Sequence, residues 1–252
     1  MILLTEVTEA GWWLAACAGF FTLQVFMASR FLHGHGGPPL TWLHILPVAL
    51  IFLCTVGWLI TLPVMLPQTA AWRAIALLIL AVPLTLTDLR CQWLPMRYTV
   101  MFWLGGLAAA ALPGSVQPFL TALLTSFGSF GLSAGVRWLA NLHNGDERIG
   151  LGDVYLMAGL CAWLPWRIAC YAAAGGLLLC CFCALLTRQP SKPFAPALFS
   201  YLCGVCTFFP NTWRECSDEY IQTYTTTGAS RKYAAAGRYC AGHRAVSGTR
   251  SH

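Results

Sequence analysis

The sequence predicts an all-α polytopic membrane protein with about eight transmembrane helices. Three observations carry that prediction. Of 252 residues, 58% are hydrophobic and 10% charged, against about 25% charged in a soluble domain. Apolar runs approaching membrane-spanning length, about 20 residues, recur along the chain. The charges between them gather at the ends of the runs. Lipid leaves exposed backbone no hydrogen-bond partner, so each run is read as a helix.

Residues 1–10 contain Glu6 and Glu9 and no Lys or Arg, so no cleavable signal with a basic start is expected. Trp12 to Leu32 is the first span. Arg30, His33 and His35 follow it and mark a cytoplasmic end by the positive-inside tendency. Residues 33–39 (HGHGGPP) form a short turn-rich loop, and its two histidines read as loop residues. Leu43 to Leu66 is the second span, punctuated by Pro47 and Pro63. Ala71 to Thr87 is the third and runs into Asp88-Leu89-Arg90. Pro95 closes the connection, and Arg97 keeps this end inside. Thr99 to Leu112 is a short fourth span rich in Gly and Ala. Val116 to Leu142 is the fifth and carries a small-residue face, including Gly128, Gly131 and Gly135, suited to close helix packing. The polar loop 141–150 leads to the sixth span, Val154 to Leu164. Ile168 to Leu186 is the seventh and Phe194 to Phe209 the eighth.

This divides the chain into an N-terminal two-helix membrane region (1–70), a six-helix core (71–210) and a flexible polar, basic tail (211–252). The net charge is +6; six of the 15 Lys and Arg lie in that tail, and the rest are scattered at helix ends. It orients the protein in a lipid bilayer and indicates no nucleic-acid partner. Most of the 12 cysteines fall inside apolar runs, where Cys acts as a small hydrophobe, so neither a metal site nor a disulfide framework is expected.

Between residues 10 and 210 the only acids are Asp88, Asp146, Glu147 and Asp153. An acid at a membrane helix end is costly and marks a candidate site. The threading places Asp88 at the inner end of span three and Asp153 at the inner start of span six, so the two can meet. Facing carboxylates in a poorly hydrated site share one proton. The ionised member can then activate water, while the protonated member hydrogen-bonds a carbonyl, which is general acid–base hydrolysis. Helix polarity assigns the anion to Asp153, at a helix N-terminus, and the proton to Asp88, at a C-terminus. Gly150 and Gly152, lacking a Cβ, would let a substrate strand approach and would adopt positive φ. Asp146 and Glu147 form a solvated loop or help receive a basic substrate. Simpler readings stand beside these: Asp153 as a helix N-cap, and Asp88 as a snorkelling residue paired with Arg90. A reading from another class makes Asp88 and Asp153 the proton relay of a coupled transporter. That reading is weakened by acids at helix ends rather than the midplane, and by the absence of a visible repeat.

Three stretches together resemble the type IV prepilin peptidases, membrane aspartic proteases of the GxGD type. They are Asp88-Leu89-Arg90-Cys91-Gln92-Trp93-Leu94-Pro95, then Gly150-Leu151-Gly152-Asp153 running to Ala162-Trp163-Leu164, and Lys192-Pro193-Phe194-Ala195-Pro196-Ala197-Leu198. The likeness covers about residues 70–210. It implies a catalytic pair, Asp88 and Asp153, that cleaves the short basic leader of prepilin or pseudopilin precursors at the cytoplasmic face of the bacterial inner membrane. Peptide cleavage of this kind takes no cofactor. Many members also methylate the new N-terminus with S-adenosylmethionine. The sequence departs from the family pattern at Tyr155, where Lys is usual, and at Ala195, where Gly is usual. It also lacks the four-cysteine cytoplasmic insert after the first span. Only a short remainder from Pro38 stands there, so no zinc site is expected.

Overall fold

The computed structural model describes residues 2–61, 68–113, 115, 117–142, 150–188 and 193–208. Asp146, Glu147 and the tail from residue 211 lie outside the described residues. The described chain forms eight helices and no strand: α1 (Ile2–Gly34), α2 (Trp42–Thr61), α3 (Gln68–Cys91), α4 (Met96–Ala111), α5 (Phe119–Leu142), α6 (Leu151–Trp163), α7 (Trp166–Thr187) and α8 (Phe194–Phe208). Each expected span is a helix. Five of them (α1, α2, α3, α5 and α7) are long and apolar enough to cross a membrane. At about 1.5 Å rise per residue, the 16 residues of α4, 13 of α6 and 15 of α8 fall short of a full hydrocarbon core, about 30 Å. The first helix differs at its start. It begins at Ile2, ahead of the expected Trp12, because one continuous helix carries the apolar run back through the acidic segment.

Prolines and left-handed residues set several boundaries. Pro95 precedes α4 and Pro165 precedes α7, where a missing N–H leaves no helical bond unmade. Arg188 ends α7 in the left-handed region. Gln92 ends α3 the same way, with φ of 54°, and its N–H donates to the Asp88 carbonyl at 2.8 Å. This single bond closes the last turn of α3 as an αL cap. Pro83 sits inside α3. Thr87 Oγ1 donates to the Pro83 carbonyl at 2.8 Å, within the same stretch of helix.

The packing places α3 and α6 at two centres. The helices α1, α2, α4 and α8 surround α3, while α4 and α5 flank α6, and α7 packs on α8. Missing Cβ atoms bring α4 and α6 close. A Cβ on Gly106 would lie 2.8 Å from the Trp163 ring, and one on Gly159 would lie 2.6 Å from the Phe102 ring. Trp163 Nε1 then reaches the Phe102 carbonyl at 2.8 Å. At the far end of α6, Gln117 Nε2 donates to the Cys161 and Ala162 carbonyls, each at 3.1 Å, satisfying acceptors that a helix C-terminus leaves open. The small-residue face of α5 is buried in part. Ser126 is buried together with Ala122, while a Cβ added at Gly128, Gly131 or Gly135 would meet nothing within 4 Å among the described residues.

Candidate active site

The site is built where α3, α6 and α8 end on one side of the bundle. Asp88 lies in the last turn of α3 and is 4% exposed. It does not pair with Arg90 as a snorkelling residue would. Arg90 Nε donates to the Pro39 carbonyl at 3.2 Å and ties the α1–α2 connection to this end of α3. The Asp88 carboxylate instead faces the start of α8. The Ala195 N–H donates to Asp88 Oδ2 at 2.7 Å, and the Phe194 N–H also reaches the carboxylate.

Asp153 is half-buried in the first turn of α6. Gly150 is the N-cap and makes no side-chain capping bond, which places Asp153 at the third helical position. From there its carboxylate accepts the Gly150 N–H, the reach-back half of a capping box. The helix-cap reading therefore holds in altered form: Asp153 is not the N-cap, but it does satisfy one of the free donors at the N-terminus. The charge on Asp153 is within electrostatic range of Asp88.

The two aspartate segments are joined by packing. A Cβ on Gly152 would lie 2.9 Å from the Leu94 carbonyl oxygen and closer still to Leu94 Cβ. The missing side chain of Gly152 thus makes room for the connection that follows Asp88. Gly150 has no such neighbour: a Cβ there would meet Asp153 Oδ2 at 3.5 Å. Neither glycine adopts positive φ. Gly150 has φ of −70°, and Gly152 is helical. The strained residue of the site is Gln92, between Asp88 and Pro95.

Helix polarity also reads differently in three dimensions. Asp88 does end α3, but it simultaneously occupies the N-terminal end of α8, whose donors oppose the α3 dipole. The ends of α3 and α6 alone do not decide which carboxyl holds a shared proton.

Tyr155 points away from the carboxylates into an aromatic group on α4 and α5. Its ring lies 5.2 Å from Phe130 and 5.9 Å from Trp103, which in turn stacks on Phe130 at 5.6 Å. Among the described residues no three His, Cys, Asp or Glu side chains gather as a metal site would require. His35 Nδ1 donates to the Phe31 carbonyl at 2.9 Å and its ring stacks on Phe31, so it is engaged with its own helix end.

Residues 72–188 match the type IV leader peptidase family. The chain is 33% identical over 149 residues to the type 4 prepilin-like proteins leader peptide-processing enzyme of Escherichia coli O78:H11, covering 54% of this chain and 52% of that protein. It is 33% identical over 112 residues to the prepilin leader peptidase/N-methyltransferase of Aeromonas salmonicida, covering 43% and 38%. It is 31% identical over 140 residues to leader peptidase HopD of Salmonella typhimurium, covering 49% of this chain and 86% of HopD. The chain thus spans about half or less of the first two relatives and most of the third. No solved structure matches it. With the matched region carrying both aspartate segments and nearly the full length of HopD aligned, the chain belongs to the type IV leader peptidase family.

Proposed function

We propose that the chain is a membrane aspartic endopeptidase that removes the short basic leader of type IV prepilin or pseudopilin precursors. Asp88 and Asp153 act on one water molecule at the cytoplasmic face of the inner membrane. The observation that carries this reading is the joint between the two aspartate segments, with Leu94 seated on Gly152. That joint brings the ends of α3 and α6 together and holds the carboxylates within range of each other. One carboxylate takes a proton from water as it attacks the scissile carbonyl, and the other, protonated, hydrogen-bonds the carbonyl oxygen. Helices α3 to α8 form the catalytic core in this reading, with α1 and α2 packed against α3 and α8 as an N-terminal support. The substrate class follows the printed names of the relatives, which act on prepilins or prepilin-like proteins.

Methyl transfer is a separate matter. The names of several relatives include it, and it would draw on S-adenosylmethionine. The cavity between α7 and α8, about 200 Å³, is lined by Leu179, Cys180, Cys183, Pro193, Pro196, Ala197 and Ser200. Ser200 is its single hydroxyl and it has no charged side chain, so this cavity does not fit the ribose and zwitterionic tail of that cofactor. The proposal concerns peptide cleavage.

Co-expression with a prepilin precursor tests it. Asp88→Ala and Asp153→Ala should each leave the precursor at its unprocessed mobility while the membrane protein accumulates normally. Processing that survives either substitution would remove the two-carboxylate mechanism.

A further inference from the structure

The Pro193–Leu198 segment has no part in the chemistry above, yet it makes the shortest polar contact at the site. We infer that the first turn of α8 is the positioning element for Asp88, through the backbone N–H groups of Ala195 and Phe194. The first turn of any helix presents N–H groups with no intrahelical partner. Here two prolines shape that supply. Pro193 precedes the helix, and Pro196 carries no N–H of its own. The donors of Phe194 and Ala195 both converge on the Asp88 carboxylate. Ala195 is itself buried at 4% exposure, so this bond is shielded from water on both sides.

The arrangement supplies what α3 does not. Asp88 sits at a helix end where the free backbone groups are carbonyls, and its own helix gives it no donor. Without α8 the carboxylate would be free to rotate about χ1 and χ2 among repelling acceptors. With α8 one oxygen, Oδ2, is pinned at 2.7 Å from the Ala195 nitrogen. A backbone donor fixes a rotamer without adding a second titrating group. It also explains why the segment is defined by prolines and small residues rather than by a polar side chain.

The inference rests on the peptidase reading, and the experiment separates the two. Ala195→Pro deletes the donor in the first turn of α8, where the lost N–H makes no intrahelical bond. Ala195→Gly keeps the donor and serves as the conservative variant. With a purified prepilin precursor in detergent, Ala195→Pro should lower kcat about 10- to 100-fold, the scale of one hydrogen bond to a charged group. KM should stay within about twofold, because the bond orients the reacting carboxylate and does not hold substrate. Ala195→Gly should match the parent. An unchanged kcat in Ala195→Pro, with Asp88→Asn inactive in the same assay, overturns the positioning role and leaves the peptidase reading intact. An active Asp88→Asn overturns the two-carboxylate mechanism on which the inference rests, and a parent protein that leaves the precursor uncut overturns the peptidase reading itself. Should Ala195→Pro fail to accumulate, residue-resolved hydrogen exchange on the parent protein decides. The Ala195 amide should exchange at least about tenfold faster in Asp88→Ala, and equal exchange in the two proteins overturns the inference.

Discussion

Replacing Gly152 by Ala tests whether the two aspartate segments are held together by shape. The new Cβ would lie 2.9 Å from the Leu94 carbonyl oxygen, and closer to Leu94 Cβ. Carbon atoms in contact settle at roughly 3.5–4.0 Å, so α6 and the connection after Asp88 must separate by on the order of 1 Å. The obstacle is backbone and a Cβ, and neither can swing aside as a long side chain would. Overpacking of this kind costs about 1–3 kcal/mol of stability. The larger effect falls on catalysis, because a shift of about 1 Å between reacting groups can lower the rate about 100-fold. Gly150→Ala is the internal control. Its added Cβ meets Asp153 Oδ2 at 3.5 Å, an ordinary contact, and its φ of −70° suits alanine. A time course of precursor processing in membranes, normalised to the amount of enzyme, should show Gly152→Ala about 100-fold slower. Gly150→Ala should remain within about threefold of the parent. Full activity in Gly152→Ala would refute the argument that Leu94 and Gly152 set the spacing of the carboxylates.

Three further outcomes follow from the same geometry. Gln92→Gly should raise the detergent-solubilised melting temperature, because a left-handed φ costs a side-chain-bearing residue about 1 kcal/mol or more and costs glycine little. Tyr155→Ala should lower stability by about 1–2 kcal/mol through loss of contacts with Phe130 and Trp103. It should leave cleavage-site choice unchanged by mass spectrometry of the products, while Tyr155→Phe should behave as the parent. Gln117→Leu should destabilise the protein by about 1–3 kcal/mol, since the Cys161 and Ala162 carbonyls lose the Gln117 amide donor. Thermal unfolding followed by circular dichroism would record it.

The helices were legible because their ends are written in residue types. Pro95 and Pro165 stand directly ahead of α4 and α7, and the apolar runs of α5 and α7 end within a few residues of their expected limits. The two aspartates were legible for a related reason: an acid is rare enough in this composition to stand out. What was illegible concerns backbone. Leu94 is one leucine among many, and nothing in its type announces that its carbonyl faces Gly152. The glycines of α5 have the spacing of a packing face, but a Cβ added at Gly128, Gly131 or Gly135 would meet no neighbour among the described residues, because spacing encodes a face and not its occupant. Tyr155 occupies a motif position, yet its side chain turns toward α4 and α5. Residue type cannot give that direction, which follows from the rotation of α6 between its two flanking helices.

The carboxylates themselves are placed by groups that carry no side-chain chemistry. Gln92 turns the chain after Asp88, Leu94 seats that turn on Gly152, and the amides of α8 and Gly150 each hold one carboxyl. Two acids packed among apolar helices have reason to be held this way. Every polar side chain added to orient an acid would bring its own desolvation cost into the bundle. Free N–H groups at helix starts are already present and must be satisfied somewhere. Directing those donors at the two aspartates meets both requirements at once. It follows that this site is sensitive to changes in shape at Gly152 and Ala195 as well as to the loss of either acid.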